Sequence, residues 1–279
     1  MNVADLAGEI LAAWDGLAAS CAFRIAGLRP GGAAHEHRAD EPMEVGSCFK
    51  AFVAAECCRR VERGTLRWDE ALVLTADLRV PSRAALDALP DGATAMVREA
   101  AAAMIVVSDN TATDLLLRRP GIGGVRSLVA EAGLAATRLP KSVRAVYDAG
   151  EADPDGRAEA SVSTMRDLTR FYARAFGGGI FAEPATLDAF KEIMRQEDLD
   201  QATAWPAGVR CYRKSGYLAP PPLLGTGMAG AFEANGRVVP FAFACNVALD
   251  DVSVAAGIME GFTRGVGRGI PAVADALAG

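Results

Sequence analysis

The chain has 279 residues, 51% of them apolar and 23% charged, which is material for a packed core in one or two domains and excludes a disordered chain. A net charge of −6, a pI near 5.1 and the lack of any Lys/Arg-rich run of five argue against a nucleic-acid-binding face. No stretch of 18 apolar residues occurs, so no transmembrane helix is expected, and the partner expected is a small molecule rather than nucleic acid or membrane.

In chain order, the first twenty residues read as an amphipathic surface helix. Asp5, Glu9 and Asp15 interrupt the apolar positions and no Lys or Arg precedes Arg24, which does not fit a secretory signal. The expectation is a cytoplasmic protein, or a periplasmic or secreted one if a leader had been removed. CAFRIAGL (21–28) reads as a strand, turned by PGG into the alternating AHEHRAD (34–40). His35 and His37 share a face of that second strand, but no third ligand is evident, so an exposed face is expected and no metal.

Helical spacing then dominates: 48–63, 96–107, 111–119, 125–133, 165–176 and 185–196 each carry apolar residues three and four apart. Residues 148–159, DAGEADPDGRAE, read as an acidic loop. Beyond about 205 the period shortens, and 209–218, 225–234 and 237–249 read as strands, the last two joined by the hairpin dipeptide Asn235–Gly236. A helical piece, 252–266, closes the pattern. Strands at both ends with helices between imply one sheet built from the termini, a helical lobe and a cleft where the lobes meet. The boundaries expected are 1–44 with 201–279 for the sheet lobe and 45–200 for the helical lobe.

Six cysteines stand at Cys21, Cys48, Cys57, Cys58, Cys211 and Cys245 with no C-x-x-C spacing. They read as small buried thiols, and neither a metal nor a cofactor is expected.

The segment GSCFK (46–50) sets Ser47 and Lys50 three residues apart at a helix start, on one face. Lys50 is flanked by Phe49, Ala51, Phe52 and Val53; burial there would depress its pKa, which suits a base that takes the Ser47 proton. S-x-x-K recurs by chance about once per 250 residues, so alone it is equally a helix N-cap followed by a surface lysine. Two further motifs follow: Ser108–Asp109–Asn110 between two helices, and Lys214–Ser215–Gly216 on a strand. Each alone has an ordinary structural reading, as a helix cap or a strand end.

S-x-x-K, S-D-N and K-S-G in this order resemble the motif set of class A β-lactamases and penicillin-binding proteins. The resemblance covers nearly the whole chain and implies an α+β, two-lobed β-lactamase-like fold: an antiparallel sheet from both termini flanked by helices, plus an inserted all-helical lobe. It implies a monomer that acylates Ser47, with Lys50 accepting the proton and Ser108 passing it toward the leaving group. Asn110 would hold Lys50 and the substrate amide, Lys214 would supply positive potential, and Ser215 would bind a substrate carboxylate or carbonyl. Gly216 and Tyr217 would line the same strand, and the amides of Ser47 and Tyr217 would form the oxyanion hole.

The resemblance fails in places. The family's E-x-x-L-N motif, whose Glu positions the deacylating water, is missing. An ungapped count from SVSTMRDL (161–168) lands near Asp148, and Glu151, Asp153 and Asp155 are alternatives. Prolines 220–222 follow K-S-G where the family turns more simply. Cys48 beside the nucleophile reads as a packed residue, not a second nucleophile. The function expected is therefore a serine hydrolase acting on an ester, amide or lactam, weighed slightly above a true class A β-lactamase; an inactive binding protein is a further alternative.

Overall fold

The hydrophobic alternation at the two ends of the chain resolves into a single five-stranded sheet. The computed structural model describes residues 5–29, 31–80, 85–152, 160–195, 205–218, 223–248 and 255–278. In chain order its elements are α1 (Leu6–Ala13), β1 (Ser20–Ile25), β2 (His35–His37), β3 (Met43–Glu44), α2 (Lys50–Glu62), β4 (Ala71–Val73), β5 (Thr94–Met96) and α3 (Val97–Val106). There follow α4 (Asn110–Leu117), α5 (Gly121–Glu131), α6 (Val143–Ala152), β6 (Val162–Ser163), α7 (Met165–Phe176), α8 (Pro184–Met194), β7 (Arg210–Leu218), β8 (Leu223–Ala234), β9 (Arg237–Ala248) and α9 (Ala255–Ala278).

Two compact units emerge. One comprises Met1–Cys48, Val162–Ala173 and Asp200–Gly279; the other comprises Phe49–Ser161 and Arg174–Leu199. In the first, all neighbours in the sheet order β2-β1-β9-β8-β7 are antiparallel. The strand nearest the N-terminus thus pairs with the last strand, Phe23 opposite Phe243. Period-two alternation sends Cys21, Phe23 and Ile25 of β1 and Phe241, Phe243 and Cys245 of β9 into one core with Leu6 and Ile10 of α1 and Ile270 and Val273 of α9. Each large apolar side chain so buried contributes about 1.5–3 kcal/mol. Asn235 and Gly236 both have positive φ, 52° and 72°, which a two-residue type I′ hairpin requires.

α9 continues to Ala278 through Pro271, beyond the 252–266 that periodicity predicts. Its glycines seat the N-terminal segment: a Cβ at Gly265 would lie 2.1 Å from Trp14 Nε1, and one at Gly261 would lie 2.3 Å from Leu17. The Trp14 indole N–H donates to the Phe262 carbonyl at 3.2 Å. Residues 162–173 group with the sheet unit, where β6 pairs with β3.

In the second unit α2 is buried from Lys50 to Arg59 on every face, as a central core helix is. The stretch read from sequence as an acidic loop begins instead inside α6. Two caps start that helix: Ser142 Oγ accepts from Ala145 N at 2.9 Å, and the Asp114 carboxylate accepts from Val143 N and Arg144 N at 2.7 and 2.8 Å. All six cysteines are free thiols and buried.

Candidate active site

The motif residues form two clusters, one in each unit. In the sheet unit, Ser47 lies in a 3-10 turn, Gly46–Phe49, laid against β7. Two glycines allow that approach. Gly46 has φ 49°, and a Cβ on it would stand 2.7 Å from Tyr217 N; a Cβ on Gly216 would meet Val45 O at 2.0 Å and Ser47 N at 2.5 Å. No side chain fits at either position, so the backbones carrying the Ser47 and Tyr217 amides run in direct contact. Ser47 and Ser215 are half-buried and Tyr217 is exposed. β7 is an edge strand of its sheet.

Lys214, on the same strand, is almost wholly buried, and its Nζ donates to Ser215 O at 2.7 Å. Burial disfavours the ammonium and lowers its pKa to about 8. Cys48 Sγ donates to Lys214 O at 3.4 Å, and burial pushes its thiol up to about 12. Cys48 is therefore packing, as the sequence suggests, with negligible thiolate at neutral pH.

In the helical unit Lys50 is 0% exposed. Its Nζ lies 2.7 Å from Ser108 O, 2.7 Å from Asn110 Oδ1 and 3.2 Å from Ser108 Oγ. The carbonyl contact comes from the turn after α3, where Ser108 has φ 54°, an uncommon conformation for a residue with a side chain. Asp109 fixes that turn: fully buried, it caps α4 by accepting from Ala112 N at 2.8 Å and also accepts from Leu86 N at 3.0 Å.

These contacts remove the ordinary readings of the motifs. The N-cap of α2 is Phe49, not Ser47; Lys50 is no snorkelling surface residue; and the cap in S-D-N is Asp109, not Ser108.

Of the candidate acids, Asp148 is an exposed residue of α6 whose Oδ1 accepts from Arg144 Nε at 2.7 Å. Glu151 lies on the same helix. Asp153, Asp155 and the prolines 220–222 lie outside the described residues. His35 and His37 share the half-buried face of β2, and among the described residues no group of three His, Cys, Asp or Glu is arranged to hold a metal.

One residue that sequence reasoning missed is Asp114. Beyond capping α6 it is buried, and desolvation raises its pKa against the opposing pull of the two amides and the nearby charge of Lys50. The signal was available: it is the one acid in the buried run Thr111–Leu117.

A sequence model of the beta-lactamase enzyme family matches residues 18–246. The chain belongs to the beta-lactamase enzyme family. The enzyme is accordingly a serine hydrolase with the acyl-enzyme chemistry of that family. It resembles the solved structure of PBP-A at 21% identity, TM-score 0.75, over 95% of each chain. It also resembles a beta-lactamase from Sphaerobacter thermophilus DSM 20745 at 19% identity, TM-score 0.76, over 97% of this chain and 99% of that one. A beta-lactamase from Chitinophaga pinensis DSM 2588 matches at 18% identity, TM-score 0.75, over 95% and 98%. At such identities the likeness establishes the class A beta-lactamase fold, as the motif order implies. No curated protein matches the chain. Among the described residues, no helix is long and apolar enough to cross a membrane.

Proposed function

We propose that Ser47 is the nucleophile, that Lys50 is its base, and that the natural substrate is a small ester or amide rather than a penicillin. The observation that carries this reading is how GSCFK is held. Its start is pressed backbone-to-backbone on the K-S-G strand, and its last residue is gripped by the S-D-N turn. Once its ammonium has given up a proton, the Lys50 amine can donate to Ser108 O and Asn110 Oδ1 and keep its lone pair for the Ser47 proton. The amides of Ser47 and Tyr217 then stabilise the tetrahedral oxyanion. Lys214, mostly charged at pH 7, supplies positive potential, Ser108 returns a proton to the leaving group, and Ser215 and Asn110 bind the acyl portion.

Substrate choice rests on deacylation. No E-x-x-L-N is present, and the Asp148 carboxylate is engaged by Arg144. A bulky penicilloyl group would therefore stay on Ser47, whereas a small acyl group leaves room for water. PBP-A has been solved, as a single-substitution mutant, in an acyl-enzyme complex with penicillin G; the expectation here is the same adduct. A second reading, true β-lactam hydrolysis, is favoured by the likeness to solved beta-lactamases and would assign the deacylating water to Asp148 or Glu151.

The test is intact-protein mass spectrometry over time with penicillin G, a cephalosporin and an activated ester, with Ser47→Ala as control. A lasting β-lactam adduct with ester turnover, both lost in the mutant, supports the first reading. Rapid β-lactam turnover without an adduct selects the second. Adducts that persist in Ser47→Ala overturn both.

A further inference from the structure

The register of the terminal strands sets Cys21 directly opposite Cys245. Ala26 N donates to Pro240 O at 2.9 Å, and those two residues continue the same register. In an antiparallel ladder, hydrogen-bonded pairs alternate with pairs that are not. Counting back from Ala26, residues 24, 22 and 20 are of the bonded kind, whereas 25, 23 and 21 are not. Cys21–Cys245 is thus a non-hydrogen-bonded pair, the kind whose Cα atoms stand about 4.5 Å apart with side chains closest. That separation lies within the roughly 4.4–6.8 Å that a disulfide spans. Both side chains share the core face with Phe23 and Phe243.

We propose that Cys21 and Cys245 form a reversible cross-strand disulfide when the protein meets hydrogen peroxide. The Cys21 thiolate attacks one peroxide oxygen; the O–O bond breaks, Cys21 becomes a sulfenic acid, and the other oxygen leaves as water after taking up the thiol proton. The Cys245 sulfur then attacks the sulfenic sulfur, its proton leaves with the hydroxyl as a second water, and the S–S bond forms. Two thiols are oxidised and one peroxide is reduced by two electrons.

Placement decides which sulfur acts first. β2 pairs only with residues 23–25, so Cys21, one residue from the start of β1, lies past the cover of that neighbour. A hydrogen bond from Cys245 and the positive charge of Arg38 hold the Cys21 thiol below the usual range, whereas Cys245 is pushed up. Cys48 and Cys57 are fully buried with thiols pushed up to about 12, so they compete poorly. This inference is independent of the acyl-transfer reading.

The folded protein is treated with hydrogen peroxide, denatured, alkylated and examined by mass spectrometry. The expected result is four alkylated thiols instead of six and a proteolytic peptide carrying Cys21 joined to one carrying Cys245. Dithiothreitol should reverse it, and the oxidised form should melt about 5 °C or more higher, because the link closes nearly the whole chain. Cys21→Ser and, separately, Cys245→Ala, which keeps a small apolar side chain in the core, should each abolish the joined peptide. Six alkylated thiols after treatment, a link through any other cysteine, or oxidation to sulfinic acid without a link would overturn the proposal.

Discussion

Lys214 is the residue whose charge state should be visible in the kinetics. Its folded pKa of about 8 lies below the ordinary 10.5, so the ammonium is present below pH 8 and lost as pH rises through it. If that charge assists acylation, kcat/KM should fall above about pH 8. Lys214→Arg, whose guanidinium stays charged, should move that limb beyond pH 10 even if it lowers the plateau. The stability consequence has the opposite sense. Between pH 8 and 10.5 the unfolded chain holds a proton that the folded chain has released, so stability rises with pH in that window. Below it, burying the ammonium costs a few kcal/mol. Lys214→Met should therefore raise the melting temperature at pH 7 while lowering activity, read by calorimetry and by ester turnover. Gly216 makes a sharper prediction. A Cβ there would stand 2.0 Å from Val45 O, so Gly216→Ala must move the Ser47 turn off β7. Loss of one oxyanion donor costs about 10²–10³ in kcat. A mutant within threefold of wild type would remove the Ser47–Tyr217 amide pair from the mechanism.

At the scale of elements, α6 shows what sequence reading could and could not reach. Ser142, three residues ahead of Ala145, is a local cap and was legible. The other cap, Asp114, comes from a different helix, and no local pattern announces a cap delivered through tertiary structure. Asp114→Ala should cost about 1–2 kcal/mol and loosen α6, seen as faster amide exchange at Val143 and Arg144. An unchanged exchange rate would mean that Ser142 suffices. The strands β7, β8 and β9 were legible because alternation and Asn235–Gly236 are local signals. So was membership of the family, because three motifs in order outweigh any one. The two-residue strands β3 and β6 were not, being too short to carry a period. The reach of α9 was hidden by Gly265, Gly267, Gly269 and Pro271, poor helix formers that persist because packing on Trp14 and Ile10 outweighs propensity. The burial of Lys50 could be suspected from its apolar flanks; that Ser108 adopts a positive φ to meet it could not.

For the molecule as a whole, the two units carry different parts of the proposed chemistry: Ser47, Lys214 and the paired amides in one, Lys50, Ser108 and Asn110 in the other. Asn110→Ala removes one of the two carbonyl acceptors at 2.7 Å from Lys50 and should slow acylation without touching the sheet unit. Its circular dichroism should be native while the rate of adduct formation falls about tenfold or more. Equal acylation rates would place Asn110 outside the proton path. The pairing of β1 with β9 bears on how such a chain is made. Residues 20–25 leave the ribosome early, but their inner partner, residues 241–246, comes more than two hundred residues later. At about 5–20 residues per second, β1 waits roughly 10–45 s with only the three residues of β2 beside it. For that interval Phe23 and Ile25 are an open strand edge, so the yield of active enzyme is decided by what shelters the first strand until the last one arrives.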